Sequence, residues 1–275
     1  MSGQLLLLDE TDSTQQEARR RFLAGAGGPL WVLARTQTQG RGRGHRQWIS
    51  PPGNLHLSLL IRPEAPLRRW PEMSLLASLV AVKALERLAV RLGRPQVRDM
   101  LALKWPNDVL LDGRKLGGIL LETAEIPHAP AAALPDAPVH AAENAPQRRA
   151  LIIGWGMNLA AAPPDDQVRW PATALTCAGL DISPPLLFET LRDVFWRWYQ
   201  VWQAHGARNV LNAWRKRAYG LGARVLVHDG GRRISGRFAD LAADGSMLLQ
   251  TDDGKQLILR AGEVTRVMLP GAPGP

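Results

Sequence analysis

The chain has 275 residues, of which 45% are hydrophobic, and it carries a formal net charge of +9. This length exceeds the usual domain size of about 100–200 residues, so we expect one large domain with a smaller one appended. The single cysteine, Cys177, excludes an internal disulfide framework and a cysteine-cluster metal site. We expect its thiol to be buried. With no apolar run near the roughly 18–20 residues of a membrane span and no signal-peptide pattern, the sequence predicts a cytoplasmic protein without membrane association.

The first part of the chain predicts a helix and two strands. A short amphipathic helix is expected over residues 9–23. Its start carries three side chains suited to capping, Asp12, Ser13 and Thr14. Residues 30–36 and 55–61 read as buried strands that flank a loop rich in glycine and arginine.

A longer helix and four short strands come next. Apolar residues at helical spacing predict a helix over residues 75–92, ended by Gly93 and Pro95. The strands are expected at residues 101–104, 109–111, 117–123 and 151–155.

The remaining chain predicts an insertion, a helix and a small β domain. Residues 124–149 are rich in alanine and proline, so we expect a disordered insertion between two strands. A helix begins at Ser183, a cap followed by a proline at the first helical position. After Gly220, short β-rich runs are separated by Asp-Gly turns. We therefore predict a domain over residues 1–219 and a small antiparallel barrel over residues 220–270.

The loop from Thr38 to Trp48 alternates glycine with arginine and closes on an aromatic ring. Glycine permits close backbone approach, and arginine offers a planar fork of donors that matches phosphate and carboxylate. The loop lacks the Gly-Lys-Ser/Thr of a Walker loop, and the prolines that follow Trp48 prevent the helix of a Rossmann turn. Side-chain guanidinium groups and backbone N–H groups can still bind an anion there. A solvated basic turn is the structural alternative.

Two further segments place polar groups where strands end. The first reads Lys-Trp-Pro-Asn-Asp from Lys104 to Asp108 and is closely followed by Lys115. The second ends a hydrophobic strand at Gly154 and reaches an amide at Asn158. Glycine in a strand often marks the close approach of a ligand. Plain turn chemistry and a bulge without a ligand are the alternatives.

These segments together resemble the biotin–protein ligase family, whose members attach biotin to acetyl-CoA carboxylase and related carboxylases. The resemblance rests on segments in the family's order and spacing, at residues 12–14, 40–48, 104–108, 115–120 and 154–158. It covers nearly the whole chain. It implies the α+β class, with a mixed-sheet catalytic domain of the biotin/lipoate ligase type and a small C-terminal SH3-like β-barrel.

The resemblance also implies a two-step reaction that uses ATP and Mg²⁺. The biotin carboxylate attacks the α-phosphorus of MgATP to give biotinyl-5′-AMP and pyrophosphate. A lysine of a biotin carboxyl carrier domain then attacks the mixed anhydride. Positioned cations would stabilise the developing charge, and a loop that orders over the site would keep water from the intermediate.

The site residues follow from the same resemblance. The expected biotin contacts are Ser13, Thr14, Gln15, Gln37, Gly40, Arg41, Gly42, Arg43, Lys115, Gly118, Leu120 and Gly154. The expected catalytic residues are Arg41, Arg43, Lys115 and Asp108, of which Asp108 would orient or deprotonate the incoming amine. The expected nucleotide contacts are Trp48, Lys104, Asn107 and Asn158. Mg²⁺ is expected to arrive with ATP near Asp108 and Asn158, without a direct cluster of protein ligands.

The chain departs from the family pattern at two places. Gln15 stands where the family commonly has asparagine, and His45 stands where a glycine usually precedes Arg46. Because the first motif begins at Asp12, there is no room before it for a helix-turn-helix, and we expect a ligase without repressor activity.

Two other functions compete with this interpretation. A lipoate or octanoate ligase or transferase has the same architecture, but the Gly/Arg loop that ends at Trp48 argues against it. A nucleic-acid-binding module would explain the charge. The arginines are scattered, however, and Phe238 is the only aromatic residue of the barrel segment, so we expect no DNA partner.

Overall fold

The larger unit is built on a mixed sheet. The structure, a computed structural model, describes residues 3–126 and 148–268. Within these ranges, seven strands pair in the order β1-β2-β3-β7-β6-β5-β4. The strands are β1 Gln4–Thr11, β2 Leu30–Gln37, β3 Leu55–Ile61, β4 Leu101–Lys104, β5 Asp108–Leu111, β6 Arg114–Glu125 and β7 Arg149–Met157. β1 and β2 are parallel, and the other neighbours are antiparallel.

Helices cover both faces of this sheet. They are α1 Thr14–Leu23, α2 Glu72–Arg91, α3 Val97–Met100, α4 Pro184–His205 and α5 Arg208–Arg215. Alternate strand residues point to opposite faces, so one face packs Val32 and Ile152 against Phe22 of α1. The other face joins α2 and α4 in the main core, which includes Trp31 and Trp155. Among the described helices, none is long and apolar enough to cross a lipid bilayer.

The smaller unit is an antiparallel sheet. Among the described residues it has five strands in the order β11-β10-β9-β8-β12. The strands are β8 Arg224–Asp229, β9 Arg232–Leu241, β10 Met247–Gln250, β11 Gln256–Leu259 and β12 Glu263–Met268. The α+β class predicted from the sequence, with its small C-terminal β unit, is confirmed.

The two sheets are joined through β4. The Leu103 N–H donates to the Arg217 carbonyl at 2.7 Å, and the Tyr219 N–H donates back to the Leu103 carbonyl at 2.8 Å. Beyond β4, the Trp105 indole donates at 3.1 Å to the Gly245 carbonyl, in the turn between β9 and β10 of the smaller sheet. The domain boundary at residue 220 stays a prediction, because the chain is bonded to β4 as it passes from one sheet to the other.

The N-terminal prediction needs a correction. The helix begins at Thr14 and not at residue 9, since the leucine-rich run before it forms β1 and pairs with β2. The Ser13 side chain makes no capping hydrogen bond. Asp12 instead accepts the Ser13 N–H at 2.6 Å and pairs with Arg20 at 2.8 Å. Asp12 therefore organises the start of α1 from outside the helix.

The structure differs from the sequence prediction in three other places. The predicted insertion is shorter at its margins, because Ala124 and Glu125 pair with Ala150 and Arg149 in the β6–β7 ladder; residues 127–147 lie outside the described residues. The sequence did not predict β12, the strand that reaches the cleft described below. Cys177, expected to be buried, is exposed, because it lies in a single 3₁₀ turn at the surface.

Candidate active site

A cleft of about 550 Å³ opens between the larger sheet, the Gly/Arg loop and the smaller sheet. It collects nearly all the site residues predicted from the sequence. Those lining it are Ser13, Thr14, Gln15, Gln37, Arg41, Gly42, Arg43, Trp48, Lys104, Asn107, Asp108, Lys115, Gly118, Leu120, Gly154 and Asn158. Segments more than a hundred residues apart in the chain therefore meet at one place.

Gly40 is the predicted residue that the cleft wall does not include. A Cβ at this position would lie 2.4 Å from the Trp48 carbonyl oxygen and 2.6 Å from the Ser50 hydroxyl. The Gly40 carbonyl accepts the Trp48 N–H at 2.8 Å. Its backbone therefore closes the base of the loop, and a side chain would force the loop open.

The floor of the cleft begins with one row of residues across the sheet. His56, Gly156, Gly118 and Asp108 are directly opposed on β3, β7, β6 and β5. Directly opposed residues share a face of the sheet. We call this set the front row. Its two central glycines leave bare backbone between an imidazole on one side and a carboxylate on the other.

A second row lies two residues along the same strands. It consists of Ser58, Gly154 and Leu120, and we call it the rear row. A Cβ on Gly154 would lie 3.1 Å from the Gln15 side-chain carbon Cδ, so the glycine leaves space for that amide. The three glycines of the two rows form a glycine floor that a flat ligand can lie against.

Neutral hydrogen-bonding groups cluster at the rear row. The Gln37 side-chain oxygen accepts the Thr14 N–H at 2.8 Å, and the Thr14 and Ser58 hydroxyls are 2.8 Å apart. The Gln15 amide nitrogen is 3.4 Å from the Leu120 carbonyl, whereas its Oε1 is buried without a partner. A buried acceptor left open is costly unless a ligand satisfies it.

The opposite end of the front row is charged. Asp108 is buried, and its two oxygens lie 2.9 Å from Lys104 Nζ and 2.7 Å from Lys115 Nζ. Burial alone would raise the pKa of the Asp108 carboxyl, but the two ammonium groups outweigh burial and hold that pKa well below its usual range. Lys104 is only 1% exposed and also donates to the Val264 carbonyl at 3.1 Å. Lys115 is the more accessible cation of the pair.

The Gly/Arg loop, residues 40–48, lies over this floor, and we call it the flap. Arg41 and Gln47 pair across it, and the Gly42 N–H donates to the Arg46 carbonyl at 2.7 Å. Gly44 has φ of 66°, a left-handed conformation that glycine adopts without strain. The glycine that precedes His45 therefore turns the flap in this chain.

The flap is attached to the smaller sheet. The Arg43 guanidinium donates to the Gly262 carbonyl at 2.8 Å, and Arg46 pairs with Glu263 at 2.8 Å. Arg41 faces the other way and lies 3.3 Å from Glu122. Each flap arginine that was predicted to hold an anion thus has a protein partner in this structure.

The Trp48 ring closes the flap onto the glycine floor. A Cβ on Gly156 would lie 2.6 Å from a carbon of the ring, so only glycine admits this contact. The Lys115 ammonium is 5.8 Å from the centre of the same ring, within range of a cation–π interaction.

Comparison with known proteins assigns the family. The chain matches the family described as "Biotin/lipoate A/B protein ligase family" over residues 7–130 and the "Biotin protein ligase C terminal domain" over residues 220–266. It is 34% identical to a biotin–[acetyl-CoA-carboxylase] ligase of Paracoccus denitrificans, over 92% of this chain and 96% of that protein. The chain belongs to the biotin protein ligase family.

Other similarities support this family. The chain is 30% identical to the bifunctional ligase/repressor BirA of Bacillus subtilis, over 95% of its own length and 74% of that protein. The solved biotin protein ligase of Aquifex aeolicus in complex with biotin and ATP superposes with a TM-score of 0.73 at 23% identity, covering 95% of this chain and 97% of that one. At that identity, the likeness shows the fold.

The two predicted asparagines of this family member are engaged with backbone. Asn107 donates to the Ile119 carbonyl. Asn158 donates to the Thr173 carbonyl at 3.2 Å, and Asn54 lies 3.5 Å from its oxygen. Both amides therefore fix the turns around the cleft.

Sequence reasoning missed several residues that line the cleft, and four of them carry a charged or aromatic side chain outside the predicted motifs. Arg169, Trp170 and Glu263 come from segments without a recognisable motif, and Trp170 lies 4.3 Å from Lys104 Nζ. The fourth is His56. A signal for it exists, because His56 and Ser58 are the two polar residues of an otherwise apolar strand and are spaced to share one face.

Proposed function

We propose that this chain activates biotin with MgATP as biotinyl-5′-AMP and transfers the biotinyl group to a specific lysine of a biotin carboxyl carrier domain. The observation that carries the proposal is the arrangement along one cleft: neutral hydrogen-bonding groups at the rear row, and the Lys115 ammonium at the charged end of the front row. Biotin has the matching polarity, with a neutral ureido ring at one end and a carboxylate at the other.

The rear row is proposed to bind the ureido ring. A ureido group has two N–H donors and one carbonyl acceptor, and the unpartnered Gln15 Oε1 can accept from such a donor. Ser13, Thr14 and Gln37 supply further polar groups, while Leu120 supplies apolar contact. The dithiolane ring of lipoate has no N–H to satisfy Gln15, so these groups favour biotin over the lipoate alternative.

The front row and the flap are proposed to hold the groups that react. Lys115 binds the biotin carboxylate and then the α-phosphate, where an ammonium stabilises developing negative charge. Arg41 and Arg43 exchange their present partners, Glu122 and the Gly262 carbonyl, for the ligand's anionic groups. Trp48 and the flap backbone then exclude water from the mixed anhydride. Lys104, Asn107 and Asn158 shape the side of the cleft proposed for the nucleotide.

In the transfer step, Asp108 is proposed to orient the incoming amine and not to deprotonate it. Its two ammonium neighbours keep the pKa of this carboxyl well below its usual range, and so acidic a group is a poor proton acceptor. The carboxylate also keeps Lys115 in place. Electrostatic positioning is the role that fits both contacts.

The described residues of the cleft do not form a magnesium site of their own. Among the described residues, no cluster of three or more His, Cys, Asp or Glu side chains could hold a metal. Both Asp108 oxygens are already paired with lysines. We therefore propose that Mg²⁺ enters as part of the MgATP substrate, bound by phosphate oxygens.

The overall activity is tested by biotin-dependent exchange of pyrophosphate into ATP. We expect exchange with biotin and none with lipoate, and we expect mass spectrometry to find a biotinyl group on an added carrier domain. Lys115→Met should slow exchange about 100-fold or more, the scale of losing one transition-state partner. Lys255→Met removes an exposed lysine of the smaller sheet and should leave the rate unchanged. Exchange that prefers lipoate would overturn the proposal.

The role of Arg43 is tested by retention of the intermediate. Arg43→Ala removes both the flap guanidinium and its contact with the smaller sheet. We expect the adenylate to dissociate or hydrolyse faster, by about tenfold or more, because a charge-assisted hydrogen bond is lost. Unchanged retention of the adenylate on the variant would contradict the role.

A further inference from the structure

His56 has a buried hydrogen-bonding atom for which the roles assigned above give no use. It is 1% exposed, it stands at the end of the front row, and it lines the cleft. Its Nε2 lies 3.3 Å from the Pro51 carbonyl oxygen. Because a carbonyl can only accept, Nε2 carries the proton, and Nδ1 of the neutral ring is an acceptor. This Nδ1 is buried without a partner.

The ring is neutral under ordinary conditions. Burial lowers the pKa of the His56 imidazole from its ordinary value of 6.5, and the bond to Pro51 opposes this shift without reversing it. Near pH 7.5, the unpartnered Nδ1 therefore carries a lone pair and not a positive charge.

A second unpartnered atom, the indole nitrogen of Trp48, lies beside Gly156, the glycine opposite His56 in the front row. The Trp48 Nε1–H is buried and has no acceptor. It lies 2.8 Å from the point that a Cβ on Gly156 would occupy. His56 is the direct cross-strand partner of Gly156, so its side chain starts about 5 Å from that same point. One donor and one acceptor, both buried without a partner, thus flank the bare backbone of Gly156.

A ligand atom placed there has to accept from the indole and donate to the imidazole. A hydroxyl oxygen does both from one atom. Of the two substrates of the proposed activation step, biotin carries no alcohol, whereas the ribose of ATP carries hydroxyls. Lys115 pairs with Asp108 at the other end of the front row. A phosphate proposed to bind Lys115 carries a ribose, whose hydroxyls can extend along the row toward His56.

We propose that His56 Nδ1 and Trp48 Nε1 together bind one ribose hydroxyl of the nucleotide. His56 is then a substrate-binding residue that selects ribonucleotides, and the Trp48 contact links closure of the flap to binding of the nucleotide. This inference rests on the proposed function, since it assigns a part of the same substrate.

The test compares ATP with 2′-deoxy-ATP and 3′-deoxy-ATP in biotin-dependent pyrophosphate exchange. For the wild-type chain, we expect kcat/KM to fall about tenfold with one of the two deoxynucleotides, the scale of one hydrogen bond that leaves buried groups unpaired. His56→Phe keeps the ring and removes both nitrogens. With ATP, the kcat/KM of this variant should be about tenfold below that of the wild-type chain. Removing the same hydroxyl from the nucleotide should lower the kcat/KM of the variant no further.

Further variants separate the two atoms from general damage. Trp48→Phe removes the indole N–H and should show the same insensitivity to the missing hydroxyl. His56→Asn keeps an acceptor near the Nδ1 position and should restore part of the preference for ATP. His205→Phe changes an exposed histidine of α4 and should behave as wild type.

Three results would overturn the inference. The first is an equal kcat/KM for all three nucleotides with the wild-type chain. The second is a loss of kcat/KM in His56→Phe that multiplies with the loss caused by the deoxynucleotide. The third is a raised KM for biotin in His56→Phe with its nucleotide preference unchanged. The comparison of nucleotides within the wild-type chain does not depend on how the variants fold. If the wild-type chain shows no biotin-dependent exchange with any nucleotide, the proposed function fails instead, so the two failures are distinguishable.

Discussion

Asp108 stabilises the cleft by pairing two cations, one buried and one accessible. Lys104 could not stay charged at 1% exposure without a partner, because an isolated buried ammonium is strongly disfavoured. Asp108 meets this need, and the same carboxylate holds Lys115 at 2.7 Å. The carboxylate that stabilises the buried Lys104 thereby also positions Lys115, the residue proposed to bind the anionic groups.

Replacement of this carboxylate should be destabilising. Asp108→Asn leaves Lys104 buried without its charge partner, and removing one member of a buried pair costs about 3–5 kcal/mol. Urea unfolding at pH 7 measures the loss. Asp253→Asn removes an exposed carboxylate of the smaller sheet and should leave the urea midpoint unchanged. An equal shift in both variants would contradict the role of Asp108.

The same pair sets a pH dependence. The pKa of Asp108 is lower in the folded chain than the ordinary value of 3.8, so the carboxylate contributes its stability in full above about pH 5 and loses it as the pH falls below about 4. We expect the stability difference between the wild-type chain and Asp108→Asn to be constant between about pH 5 and 8 and to shrink in more acidic buffer. A difference that grows on acidification would have the wrong sign.

Gly156 determines whether the flap can close. Gly156→Ala places a methyl group 2.6 Å from the Trp48 ring, so the ring has to move off the floor. We expect trypsin to cleave at the flap arginines several-fold faster in this variant. Gly27→Ala, at an exposed glycine with open space around it and without a left-handed φ, is the control for proteolysis elsewhere. Unchanged flap cleavage would mean that Trp48 does not hold the flap.

At the scale of elements, the flap and β12 form one contact surface although they are far apart in sequence. Arg46 pairs with Glu263 across 217 residues, and Arg43 reaches the adjacent Gly262 carbonyl. Glu263 also lies 3.8 Å from Arg169 at the cleft rim. The smaller sheet therefore contributes to the cleft as well as to the core.

Glu263→Gln should loosen this contact. It removes the ion pair with Arg46 and keeps the side-chain length, and a partly exposed pair contributes about 0.2–1 kcal/mol. Flap proteolysis should rise by about twofold to fivefold, with little change in overall stability. Asp252→Asn, which breaks an ion pair elsewhere in the smaller sheet, should leave flap cleavage as in the wild type.

The elements that sequence predicted well are those whose signals are local. Leu55–Ile61 and Leu101–Lys104 match their predicted bounds, since each is an apolar run bounded by turn residues. β1 was missed because its leucine run lies next to a helix start and was partly absorbed into the helix. β12 was missed because this short strand has one buried residue, Val264, among half-buried and exposed ones, and contains no aromatic residue.

The site residues, too, were predicted where their signal is local and missed where it is not. The flap carries residue types that predict anion binding from sequence alone, the segment from Lys104 to Asp108 carries polar groups where a strand ends, and both line the cleft. The register that places His56 opposite Gly156 follows from strand pairing, and no local pattern encodes it. Glu263 depends on how two sheets pack, so its place could not be read from the sequence.

At the scale of the whole molecule, the two units share one core. The main cluster of buried residues contains Phe238 and Leu249 of the smaller sheet together with Leu75 of α2. Trp105 is 2% exposed and bonded to the Gly245 carbonyl. The contact between the units is thus apolar and buried, unlike the looser interfaces usual between domains.

This continuity predicts a single unfolding transition. Chains with separate domains often unfold in steps, but neither sheet here can open without exposing Trp105 and Lys104. Differential scanning calorimetry of the full chain should give one peak, with the calorimetric enthalpy close to the van't Hoff enthalpy. Two resolved peaks, or earlier loss of hydrogen-exchange protection in β8–β12, would contradict a shared core.

The glycine floor also limits how this scaffold can evolve. Gly118, Gly154 and Gly156 offer main chain alone, so any side chain introduced there takes the volume of the ligand or of the groups that cover it. A selection for altered substrates should leave these three codons untouched and accumulate changes at the side chains around them, at Gln15, His56 and Leu120. Diversification of this protein is therefore expected at the residues around the glycine floor and not within it.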